Sequence, residues 1–169
     1  MEVIEFPGSI FISRVSNYKE VNQALLNIIA QDKNGNTEKS DCQRISKTDF
    51  FNESPRLYHD ILLPHIENHA GNILEQINGT AWQISKLWYQ QYGTGDYHSW
   101  HFHNCSLSSI YYIELDSQGS RTSFQCRGKE FSLDVEEGHL ITFPSYLSHQ
   151  SRPNKGNRKT VISFNMEIS

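Results

Sequence analysis

From Ala81 to the C-terminus the chain is a succession of short segments rich in Tyr, Trp, Phe, Val, Ile and Thr, cut by turn residues at short intervals. This pattern leaves a narrow choice of folds. β-Branched and aromatic side chains fit a pleated surface, and Gly, Asn and Ser clusters reverse the chain between strands. It predicts strands at residues 82–92, 97–103, 107–115, 121–127, 130–135, 139–144 and 158–167, with turns at Gly93 and Gly95 and at 117–119, 127–128 and 154–156. The first half reads differently. Residues 17–32 place Val21, Ala24, Leu25, Ile28 and Ile29 on one helical stripe, with Gly35 as a stop. A second helix is predicted over 55–78, capped by Ser54, opened by Pro55 and followed by Gly79. Its buried side would be Leu57, Ile61, Leu62, Ile66, Ile73, Leu74 and Ile77, and Pro64 should kink or split it. Residues 36–52 are polar and read as loop. Helices followed by many short strands give α+β architecture, a sandwich or barrel of antiparallel sheets. The expectation is one domain over 1–169, in which a mostly helical 1–80 braces a β core at 81–169.

Composition excludes several classes of function. The net charge is -4 and no long basic run occurs, so nothing favours a nucleic-acid partner. The basic residues Arg152, Lys155, Arg158 and Lys159 cluster late in the chain, and Arg152 and Lys155 among them read as a solvated loop. No apolar run approaches the ~20 residues that span a bilayer. Glu2 and Glu5 stand where a signal peptide would carry basic residues, which points to the cytoplasm. Cys42, Cys105 and Cys126 are widely spaced and odd in number, which suggests reduced thiols.

The eight histidines are not equivalent. His59, His65 and His69 lie in the second helical stretch and read as surface or half-buried helix residues, and His98 and His139 as structural. His101-Phe102-His103 differs, because residues two apart in a strand point to one side. Two imidazoles on one side form half of a site suited to iron, zinc, copper or nickel. From Gly138 an apolar strand runs to Pro144 and is followed five residues later by His149, which a β-sandwich can return opposite an earlier strand. Arg158, nine residues further on, opens the last strand with a cation suited to an acidic co-substrate.

Taken in order, these residues resemble the double-stranded β-helix core of the 2-oxoglutarate- and iron(II)-dependent oxygenases. The likeness runs from about Trp88 to Asn165. It is carried by Tyr92-Gly93-Thr94-Gly95-Asp96, His101-x-His103, residues 108–112, Gly138, Phe143-Pro144-Ser145, His149, Arg158 and the terminal Ile162-Ser163-Phe164-Asn165. It is nearest the prolyl-hydroxylase-like branch, and within it a set of small oxygenases that share His-x-His. The resemblance implies a jelly-roll or cupin-like barrel and a metal centre of His101, His103 and His149 holding Fe(II). It also implies 2-oxoglutarate and dioxygen as co-substrates, with hydroxylase-type oxidation of an unidentified substrate and release of succinate and CO2. Arg158, assisted by Thr160, is the first choice to grip the distal carboxylate, because a guanidinium pairs bidentately. Lys159 is the rival, and strand alternation alone does not decide which parity faces the barrel. Tyr112 matches a family position near the same carboxylate, and Tyr92 and Gln90 are further pocket candidates. Trp88, Trp100 and Phe143 are read as core or pocket wall. One feature departs from the family: most members place Asp or Glu where this chain has His103, which raises the charge of the site by one unit and leaves open whether His103 binds the metal directly or through water. Two alternatives stay open. One is a cupin-like metalloenzyme that does not use 2-oxoglutarate; the cupin glutamate expected shortly after His103 is missing, with Leu107 and Ser108 there instead. The other is a non-catalytic barrel binding module. The substrate, a small molecule or a protein side chain, is not specified, and a homodimer remains possible.

Overall fold

Along most of the central strands, apolar residues fill both alternating sets of positions, the signature of a sheet buried on both faces. A computed structural model describes residues 1–6 and 8–169. Its strands are β1 (Glu2–Phe6), β2 (Gly8–Arg14), β3 (Asn36–Lys39), β4 (Gln43–Thr48), β5 (Trp82–Gly93), β6 (Tyr97–His101), β7 (Leu107–Leu115), β8 (Thr122–Cys126), β9 (Lys129–Ser132), β10 (His139–Pro144), β11 (Ser148–Ser151) and β12 (Arg158–Ile168). Two helices, α1 (Tyr18–Gln31) and α2 (His59–Ile77), complete the fold. The strands form one curled antiparallel sheet in the order β1-β2-β10-β7-β12-β5-β4-β6-β11-β8-β9, with β3 on β4. The architecture is a double-stranded β-helix of the jelly-roll type, α+β in class.

The two faces build two cores. On the outer face Phe11, Tyr111, Ile113, Leu140, Ile162, Phe164 and Met166 pack against Val21, Leu25 and Ile29 of α1 and Leu62, Ile66 and Ile73 of α2. On the inner face Ile10, Ile110, Tyr112, Phe124, Ile141, Phe143 and Val161 fill the barrel. Tyr111 and Tyr112, or Val161 and Ile162, are sequence neighbours in different cores because alternate side chains leave opposite faces. Each buried side chain of this size contributes roughly 1.5–3 kcal/mol, so both faces of the sheet are strongly specified.

The structure departs from the sequence expectation in several places. Residues 36–52 are not loop. They supply β3 and β4, and β4 bridges β5 and β6 where the sheet folds over. The first 80 residues therefore contribute strands to the barrel as well as helices, including β2, which extends the sheet beyond β10. The second helix begins at His59, not Pro55. Residues 55–58 instead form a turn, held by the Asn52 side chain accepting from Ser54 N–H and by His59 N–H donating to the Arg56 carbonyl. Leu57 is consequently 77% exposed, and Ile77 at the other end is exposed as well. Pro64 neither splits nor ends α2; it forfeits one backbone bond, and the packing of Leu62, Ile66 and Ile73 holds the helix across it. His69 is fully buried between α2 and the sheet, not on the surface. All three cysteines are free thiols. No helix of the described residues is long and apolar enough to cross a membrane.

Candidate metal centre and its cavity

His101 closes β6 and lies directly opposite His149 of β11 in an antiparallel pair. His103 sits two residues beyond the strand end, its N–H donating to the Ser145 carbonyl, while Phe102 between them turns outward and is 71% exposed. One ring nitrogen from each of the three histidines lies within 4.8 Å of the others. The ring centroids are 4.2 Å apart for His101 and His149, 5.3 Å for His101 and His103, and 5.2 Å for His103 and His149.

Hydrogen bonding fixes which nitrogens are available. The Nδ1 of His101 lies 2.7 Å from the Ser99 carbonyl, that of His149 2.9 Å from the Leu147 carbonyl, and that of His103 2.7 Å from Asn165 Oδ1. Each partner oxygen only accepts, so each Nδ1 carries the proton and donates. That leaves three Nε2 lone pairs, the donor set a divalent transition metal requires. Burial drives the rings to the neutral form: it lowers His101 to about 4, His149 well below its ordinary value, and His103 in the same direction. Neutral imidazole is the metal-binding form, so the residues present fit a metal.

These groups line a cavity of about 450 Å³. At its inner end lies Lys159, 1% exposed, whose Nζ donates to the Ser120 carbonyl at 3.0 Å and to Ser151 Oγ, and stands 4.5 Å above the Tyr92 ring. Among the described residues no carboxylate pairs with it. Desolvation lowers its ammonium to about 7. The outer walls carry Phe50, Phe51, Trp88 and Phe102, with Glu38 and Lys86.

The remaining residues singled out by sequence divide cleanly. Lys159, Val161, Ser163 and Asn165 face the cavity. Their alternates Ile162, Phe164 and Met166 face the helices, which decides the parity that the sequence left open. Arg158 is therefore not the inward cation. It forms a two-point ion pair with Glu114 at 2.6 and 2.8 Å on the outside, and its side chain is 56% exposed. Thr160 also faces away, donating to Glu114 and accepting from Gln91 Nε2. Tyr92 and Gln90 line the cavity. Tyr112 lies one layer behind, buried, with its hydroxyl donating to Thr122 Oγ1 at 2.8 Å; Thr122 is the wall residue.

Among the wall residues that the sequence reading passed over, His98 and Asn165 touch the candidate ligands themselves. His98 stacks on His101 with centroids 3.8 Å apart and planes 15° from parallel. Three positions apart in a strand, they should face opposite sides. The register shifts here, pairing His98 with Ser151 and His101 with His149, so β6 carries an extra residue and both rings reach one face. Burial lowers His98 to about 3. Asn165 was noted in sequence only as part of the final strand. Its link to His103 spans 62 positions and leaves no local signal.

No family model matches the chain, and no curated protein matches it. Solved structures do. A prolyl-4-hydroxylase from Pseudomonas putida superposes with TM-score 0.72 at 13% identity, covering 94% of this chain and 92% of that one. The fold is that of prolyl hydroxylases. A viral collagen prolyl hydroxylase from Paramecium bursaria Chlorella virus-1, solved as a 2-oxoglutarate complex, gives 0.63 at 13% identity over 92% and 95%. A non-heme α-ketoglutarate-dependent epimerase from nogalamycin biosynthesis gives 0.70 at 10% identity over 93% and 76%. Hydroxylases and an epimerase share this prolyl-hydroxylase fold, so the fold does not choose the reaction, and residues must.

Proposed function

We propose that this protein is an Fe(II)- and 2-oxoglutarate-dependent oxygenase of the prolyl-hydroxylase-like branch, acting as a hydroxylase on a substrate not yet identified. The observation that carries the reading is a single cavity holding both three free imidazole Nε2 atoms and a buried ammonium without a carboxylate partner. The likeness to a 2-oxoglutarate complex supports it.

His101, His103 and His149 would hold the metal through their three Nε2 atoms. Iron(II) bound there supplies activation of dioxygen, with 2-oxoglutarate consumed to succinate and CO2. The chain's own residues supply the rest. Lys159 pairs with the distal carboxylate of 2-oxoglutarate, and the dianion restores to Lys159 the charged form that burial disfavours. Tyr92 beneath the ammonium and Ser151 beside it hold Lys159 in place. Electrostatics favours a doubly charged acid: three neutral ligands leave the charge of a divalent ion uncompensated, and Lys159 adds to it. The aromatic wall of Phe50 and Trp88, with Phe102 at the rim, shapes the space left for the substrate. Three free thiols fit a reducing compartment, and we place the activity in the cytoplasm as part of the same proposal.

The test is to incubate the protein with Fe(II), ascorbate, oxygen and 2-oxoglutarate and to quantify succinate. Slow production above a metal-free control is expected even without the prime substrate. A three-imidazole donor set also suits zinc, which favours a second reading, a cupin-like metalloenzyme that does not use 2-oxoglutarate. Tight zinc binding with no succinate under any condition would select it.

A further inference from the structure

The three histidines are not oriented in the same way. His101 and His149 each donate Nδ1–H to the backbone carbonyl two residues earlier, Ser99 and Leu147. Those bonds are local, so the strands that carry the rings also orient them. His103 lies beyond the end of β6 and bonds no such carbonyl. Its Nδ1 partner is the side chain of Asn165, brought in from β12, a strand 62 positions later in the chain.

We infer that Asn165 is a positioning residue that commits His103 to direct metal binding through Nε2, and that this pair makes a working three-imidazole site where a carboxylate would otherwise complete it. The inference rests on the metal-centre reading above.

An asparagine amide has an accepting end and a donating end. With Oδ1 toward His103, the ring must protonate at Nδ1 and expose a lone pair at Nε2. The reverse orientation would place an N–H at Nε2, and the ring could not ligate. The position of Asn165 is well fixed: β12 is paired on both sides, with Asn165 opposite Lys86 of β5 and Ser108 of β7. The next residue, Met166, is anchored among the helices. A rigid strand is a more exact support than the coil that carries His103. On the other side of the ring stands Trp88, its centroid 5.8 Å away and its plane tilted by 34°, which limits rotation of the imidazole.

The test is a titration of the whole metal-free protein with Co(II) alone, in wild type, Asn165→Ala, His103→Asp and the double variant. Removing a hydrogen-bond partner behind a ligating histidine costs roughly 10- to 100-fold in metal affinity, and that loss is expected for Asn165→Ala. An aspartate at 103 needs no tautomer fixed. In the His103→Asp background, Asn165→Ala should therefore change affinity by less than about threefold, a coupling read as a double-mutant cycle. Nitrogen-15 NMR of the metal-free protein supplies a readout that does not depend on the aspartate variant. Wild-type His103 should be the Nδ1–H tautomer, and Asn165→Ala should give a mixture. Equal Co(II) affinity in wild type and Asn165→Ala, an equal loss in both backgrounds, or an unchanged tautomer would overturn the role of Asn165 and leave the metal centre standing. Failure of wild type to bind Co(II) would overturn the centre itself, and this inference with it. No 2-oxoglutarate is present, so the outcome is independent of turnover.

Discussion

His69 at the helix–sheet interface and His149 inside the barrel are both almost fully buried, and burial lowers both. They differ in what their rings have left over. The Nδ1 of His69 meets Ser13 Oγ at 2.7 Å and its Nε2 meets Thr142 Oγ1 at 2.9 Å, so both nitrogens are used. His69 ties α2 to β2 and β10. His149 uses Nδ1 on its own backbone and presents Nε2 to a cavity shared with two similar rings. A depressed histidine pKa is common to structural and functional sites; a spare lone pair aimed at other spare lone pairs is not. The two cores differ in the same sense. The outer one is sealed by helices, whereas the inner one holds an ammonium that the fold itself does not neutralise.

Substitutions at the two histidines should separate these roles. The largest effect is expected for His149→Ala, which should cut metal affinity by roughly 1,000-fold, beyond the 10- to 100-fold cost of losing a supporting partner. His98→Ala and His69→Ala should leave the metal bound. Metal content by mass spectrometry reads this directly, and equal content in His149→Ala and His98→Ala would sink the ligand assignment. The next effect concerns acid. Unfolded, His69 takes up a proton below its ordinary 6.5; folded, it resists protonation until about 4. Its contribution is therefore whole above pH 6.5 and is lost as pH falls from there through 4, worth about 3 kcal/mol. Urea unfolding at a series of pH values should show a shallower acid dependence in His69→Gln, with the dependence owed to the cavity histidines remaining. An unchanged slope would mean that His69 is not the neutral bridge described.

A smaller effect distinguishes the two cations of β12. Lys159→Met should weaken 2-oxoglutarate binding by about 30-fold, near 2 kcal/mol for a charge-assisted contact, with metal retained. Isothermal titration of the Ni(II)-loaded protein measures it. Arg158→Ala should leave that affinity unchanged, and the opposite pattern would restore Arg158 as the anchor. The least change is expected in stability for Arg158→Ala, no more than about 0.5 kcal/mol, because the Arg158 side chain is more than half exposed. A denaturant midpoint is sufficient to check it.

Much of this was legible without coordinates. The strand periodicity from Ala81 onward and the stripe of α1 are local patterns, and local patterns survive folding when tertiary packing agrees with them. β3 and β4 were missed because their side chains are mostly polar and solvated on one side, and pairing at the fold-over of the sheet holds them as strands. His101, His103 and His149 were visible as a spaced set. His98 was not, because a register shift, and not a repeat, turns it toward them.

The sequence by itself determined that this chain would curl into a β barrel carrying three histidines and a late pair of cations. Only the tertiary structure decided that Lys159 and not Arg158 points inward, and that Asn165 supports His103. Alternation along β12 tells which residues share a face, but both faces are buried. Which one meets helices and which meets the cavity depends on the rest of the chain, so no local rule on β12 could supply it.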